Sequence, residues 1–93
     1  IYILVEHMSS PHKLLPFRML KYMISIMEHH LKKTKRSTLP FIYPTVIYTG
    51  QKAYPYSMNL FDLFDRHKEL AQETLLAPYH LIDLTNASDE ELK

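Results

Sequence analysis

The feature that most constrains this chain is a run from about residue 13 to 33 in which apolar side chains recur at spacings of three and four. It lies between two segments rich in β-branched and aromatic residues. Leu20, Ile24, Met27 and Leu31 carry the repeat, and Phe17 and Met23 widen it, which predicts an amphipathic helix. Ile1 to His7 and Phe41 to Tyr48 read as strands on either side. A long helix between two strands predicts a β-α-β crossover with parallel strands, because antiparallel neighbours need only a short turn. Ser9 or Ser10 with Pro11 supplies start chemistry for the helix, and Lys32, Lys33, Lys35 and Arg36 close it where cations meet the negative end of the dipole.

Several shorter elements follow. Pro44 cannot donate to a ladder and predicts an edge or irregular start for the second strand, while Gly50 after Tyr48-Thr49 predicts a tight turn. Asn59 is placed to cap a brief helix over Leu60 to Phe64. A second helical piece over Lys68 to Leu76 would use Leu70, Leu75 and Leu76 as its apolar contacts. Tyr79 to Leu84 alternates like a strand, and Ser88 with Glu91 forms a capping box. At 93 residues with a 46% apolar fraction, one small globular unit is expected. Both ends look cut within elements, so the chain reads as 1–93 of a partial domain.

Composition removes several function classes. No apolar stretch approaches the ~20 residues of a membrane helix, so no membrane partner is expected. The absence of Cys excludes disulfide scaffolds and thiolate chemistry and fits a reducing, cytoplasmic location. A single glycine excludes glycine-rich phosphate cradles, and the six His residues make no zinc spacing. A net charge of +1 is too small to signify nucleic-acid binding, which leaves that question to the placement of charge.

Parallel sheets bind ligands at the carboxyl ends of their strands, and Glu6 sits near such an end. A carboxylate on an apolar strand needs a cation, a metal or hydrogen-bond donors. Glu6 therefore has two readings, a ligand for a hard oxygen-seeking ion such as magnesium or one half of a salt bridge. The basic run Lys32, Lys33, Lys35 and Arg36 also has two, a solvated helix cap or a phosphate-contacting patch. Tyr43, Tyr48, Tyr54 and Tyr56 could stack bases, although sheet and turn packing explains most of such a set.

Residues 5 to 23, VEHMSSPHKLLPFRMLKYM, followed by PFIYPTVIYTGQKAYPYS at 40 to 57, resemble the recombination-promoting nuclease/transposase family of the PD-(D/E)XK nuclease superfamily. The resemblance implies a partial restriction-endonuclease-like α/β fold, with a central mixed sheet and flanking helices. It also implies metal-dependent hydrolysis of DNA phosphodiesters with magnesium in complete relatives. The family's strand motif reads Glu, any residue, Gln, then Ser-Ser. Glu6 aligns with its metal-binding, catalytic carboxylate, and Met8 stands where the family has the Gln that replaces the superfamily's Lys. A thioether has no N–H and no cationic form, so Met8 cannot orient attacking water as Gln or Lys would.

The family's essential Asp belongs to the preceding strand and has no counterpart here, and Asp62 and Asp83 are weak replacements. Arg18 and Tyr22, four apart on one helical face, match the family's helix motif. Arg18 is then either a carboxylate partner supporting the fold or a phosphate contact, and with Lys32, Lys33, Lys35 and Arg36 it makes up the expected substrate-binding set. The implied partner is DNA, with self-association or contacts to mobile-element proteins beside it. Two roles follow: a nuclease fragment inactive by itself, or a degenerate DNA-binding or protein-interaction module.

Overall fold

The computed structural model describes residues 1–85, in two compact units, 1–63 and 64–85. In the first unit, β1 (Tyr2–Met8), α1 (Leu15–Thr34) and β2 (Ile42–Tyr48) form the expected β-α-β unit. The strands pair in parallel, in the register Tyr2↔Ile42 through Glu6↔Val46 to Met8↔Tyr48. The described sheet is this parallel pair, so the α/β class holds while a larger mixed sheet is absent among the described residues. The Thr49 N–H donates to the Met8 carbonyl at 3.0 Å. Alternation along β2 then turns the missing N–H of Pro44 to the outer edge, where it interrupts no bond to β1.

Period two along each strand sorts the side chains. Leu4, Glu6 and Met8 of β1 share a face with Ile42, Val46 and Tyr48 of β2, and α1 covers it. Met8 (6% exposed), Leu15 (0%) and Met19 (5%) form the core, with Leu4, Val46, Tyr48 and Tyr54 packed against it. Ile3, Val5, Tyr43 and Ile47 occupy the other face and are exposed. His7 shares that face, as the alternation predicts, and its Nε2 lies 3.2 Å from Thr49 Oγ1.

Helix α1 differs from its sequence reading in two ways. It begins at Leu15, not near 13, and neither Ser9 nor Ser10 caps it, because the helix needs no side-chain cap where Pro16 occupies its first turn. A proline there sacrifices only an N–H that has no partner within the helix. The packed face is centred on Leu15, Pro16 and Met19; of the expected stripe Leu20, Met23, Met27 and Leu31 are half-buried, as is Ile26, while Phe17 and Ile24 are exposed. The far end is as expected. Lys32 and Lys33 fall in the last turn, and Lys35 adopts a left-handed cap with φ 57°, its N–H donating to the Leu31 carbonyl at 2.9 Å.

Gly50 is needed for a reason other than turn conformation, since it does not adopt a positive φ. A Cβ there would overlap the hydroxyl end of Tyr48, which packs edge-on to Tyr54. Tyr54 in turn meets Tyr56 at 6.0 Å, so three of the four tyrosines considered for base stacking pack on one another. The brief helix after Asn59 is a 3₁₀ turn, Leu60–Leu63, and Asn59 Oδ1 accepts the Phe61 N–H at 2.9 Å.

In the second unit, α2 (Lys68–Thr74) is shorter than expected, and Leu70, Leu75 and Leu76 are exposed instead of packed. The helix stops where Leu75 turns extended and Leu76 takes a positive φ. Tyr79 to Leu84 forms no strand. Tyr79, Leu81 and Ile82 are largely exposed, and a strand exists only where another strand takes its backbone hydrogen bonds. The capping box at Ser88 and Glu91 lies outside the described residues.

Candidate functional site

The parallel crossover sends α1 back along β1 in the reverse direction, so the first turn of α1 stands over the carboxyl end of β1. Two contacts mark the two ends of this packing. Arg18 reaches Glu6 at one, and at the other the Tyr2 hydroxyl meets His30 Nδ1 at 3.0 Å. The strand's period of two and the helix's period near four thus bring Glu6, Met8, Arg18 and Tyr22 into one neighbourhood from two elements.

Within it, Arg18 Nη2 donates to Glu6 Oε1 at 2.6 Å, a short charge-assisted hydrogen bond. The two side chains are 35% and 22% exposed, so water still screens the pair. The Arg18 guanidinium carbon lies 6.0 Å from the Tyr22 ring centroid, while its Nε is enclosed without a hydrogen-bond partner. Of the two roles open for Arg18, the carboxylate partner is the one seen. Met8, two residues after Glu6 on the same face, points into the core between Leu15 and Met19.

Among the described residues this donor set offers a magnesium ion only Glu6. A hard octahedral cation needs several oxygens, and here a single carboxylate has one oxygen committed to a guanidinium, with a buried thioether beside it. Among the described residues no group of three or more His, Asp or Glu side chains converges. Asp62 accepts a hydrogen bond from Ser57 Oγ. The Asp83 carboxyl is held below its usual range by hydrogen bonds from the Thr85 hydroxyl and backbone N–H, which accounts for its charge without a metal.

The basic residues divide into two groups. A 20-residue helix is about 30 Å long. Lys32, Lys33, Lys35 and Arg36 are exposed at its carboxyl end, far along the axis from Arg18. At the amino end, His12, Lys13, Arg18 and Lys21 line a cavity of about 500 Å³ whose remaining walls are Leu14, Leu15 and Phe17. Lys21 Nζ lies 5.7 Å from the Phe17 ring centroid. The sequence reading gave His12, Lys13, Phe17 and Lys21 no binding role. A signal was present, since Lys13, Arg18 and Lys21 crowd a helix start that has no acidic residue in its first turn, against the sign of the dipole.

Comparison with known proteins agrees with the motif. The chain is 37% identical to "Recombination-promoting nuclease RpnC" and 40% identical to "Recombination-promoting nuclease RpnA", both of Escherichia coli (strain K12). These alignments cover 99% of this chain and 30% and 31% of the relatives. It is 34% identical to "Inactive recombination-promoting nuclease-like protein RpnE" of the same strain, again over 99% of this chain and 30% of the relative. The chain thus spans about a third of the length of the curated relatives it matches. No solved structure matches it. The match to the family described as "Putative transposase, YhgA-like" extends over residues 1–93, and it establishes that the chain belongs to that family.

Proposed function

We propose that this chain is a DNA-engaging part of a recombination-promoting nuclease, built on a portion of a restriction-endonuclease-like fold, and that by itself it does not hydrolyse phosphodiesters. The observation that carries this reading is the Glu6–Arg18 pair at 2.6 Å beside a buried Met8. The position that would hold a metal is neutralised by a guanidinium, and the position that would orient water is filled by a core side chain with no N–H to offer. The magnesium implied for complete relatives would need further oxygen ligands beside Glu6, together with release of the carboxylate from Arg18.

The test is incubation of supercoiled plasmid with magnesium or manganese, comparing the chain with Glu6→Ala. Neither should nick it. Metal-dependent cleavage abolished by Glu6→Ala would refute the reading.

DNA engagement is supported by family membership and by exposed cations at both ends of α1. Replacing Lys32, Lys33, Lys35 and Arg36 by Ala should reduce the slope of log affinity against log salt by up to about four on duplex DNA. Binding that ignores salt, or no binding at low salt, would favour a protein-interaction role instead.

A further inference from the structure

We propose that the cavity at the amino end of α1 holds one unpaired nucleotide of single-stranded DNA, the base against Phe17 and Leu14 and the phosphate between Lys13 and Lys21. This rests on the DNA-engaging reading above and assigns a substrate form to residues that neither the motif nor the family match singles out.

Three observations point there. The first is electrostatic. A helix amino end carries the positive pole of the dipole and ordinarily attracts acidic residues, yet this one has none in its first turn and has His12, Lys13, Arg18 and Lys21 around it. Among the described residues only Arg18 of this set pairs with a carboxylate, Glu6, and an anion would relieve the rest.

The second is the wall. Leu14 (62% exposed) and Phe17 (49%) present apolar surface that a bare phosphate or sulfate would not use. The ligand must therefore join an anion to a flat apolar body. A nucleotide does so, and any base can stack on an aromatic ring through its π-face. Lys21 Nζ stands over one face of the Phe17 ring, 5.7 Å from its centroid, which leaves the other face as the platform for a base with a cation close to its phosphate. The third is size. The cleft, of about 500 Å³ and open to solvent, is of a size to take one nucleotide. Paired bases hide their faces in the helical stack, so the site selects unpaired strands. Arg18 belongs to the wall, since Nη2 is committed to Glu6 and Nε is enclosed.

The experiment measures fluorescence anisotropy of labelled oligothymidylate and of a hairpin duplex of equal charge. It uses the full chain and its Phe17→Ala, Phe17→Tyr and Lys13→Ala/Lys21→Ala forms. Because Phe17 is half exposed, Phe17→Ala should fold, which circular-dichroism melting verifies. Phe17→Ala should weaken oligothymidylate binding about 5- to 150-fold, and Phe17→Tyr should restore it. Duplex binding should be unchanged by both. The double lysine replacement should lower the salt slope on the single strand by about 1.4.

Phe17→Ala without effect, or an equal loss on both DNAs, overturns the proposal while leaving the DNA-engaging reading intact. Failure of the unaltered chain to bind either DNA overturns both. Displacement of the oligonucleotide by thymidine monophosphate at the oligonucleotide's own Kd would assign the cavity to free nucleotides and also overturn it.

Discussion

Met8→Gln restores the residue that the family motif carries at this position, and the structure predicts that it destabilises the domain. Met8 is 6% exposed and contacts the two most enclosed side chains of α1, Leu15 and Met19. A buried Gln forfeits much of a side-chain transfer energy of about 1.5–3 kcal/mol. Its amide adds about 1–3 kcal/mol where no partner satisfies it. Allowing for partial relief by outward rotation, the loss should be about 2–4 kcal/mol, set against a total stability on the order of 5–15 kcal/mol for a small domain.

At roughly 4–8 °C per kcal/mol for a chain of this size, Tm should fall by about 10 °C or more. Thermal melting followed by far-ultraviolet circular dichroism reads this directly. Met8→Leu, which conserves volume and polarity, should stay within about 1.5 kcal/mol of the unaltered chain. A Met8→Gln form melting within about 2 °C of the unaltered chain would show that position 8 tolerates a polar side chain, and the case for a core function of this strand would fail.

Two further predictions concern α1. A double-mutant cycle with Glu6→Ala and Arg18→Ala should give a coupling of about 1 kcal/mol at low salt, because both partners are partly solvated, and it should shrink as salt is raised; zero coupling in urea titrations would remove the pair from the account. Lys35→Gly should stabilise the chain by up to about 1 kcal/mol, since Lys35 holds φ 57° where a Cβ is disfavoured, while the Leu31 carbonyl keeps its backbone donor; a drop in Tm would contradict this assignment.

The β-α-β unit was legible in the chain because its signals are local. Period two in Ile1 to His7 and Phe41 to Tyr48, and spacings of three and four between them, follow from backbone geometry alone. So did the edge character of Pro44 and the basic close of α1. The motif Glu6-His7-Met8 with Arg18 and Tyr22 likewise marked the family before any coordinates.

Which face of α1 is buried was not legible. Apolar residues lie on more than one side, and the choice of Leu15 and Met19 over Phe17 and Ile24 depends on the approach of the sheet. The strand-like alternation of Tyr79 to Leu84 came to nothing for the same kind of reason, since pairing requires a partner elsewhere in the chain. Tertiary structure also decided the fate of Glu6. Spacing favoured the salt bridge over the metal ligand while the family resemblance pointed to the ligand, and either satisfies a carboxylate on an apolar strand. The reversal of the chain through α1 placed a guanidinium 2.6 Å from it, a contact between two elements that no local pattern encodes.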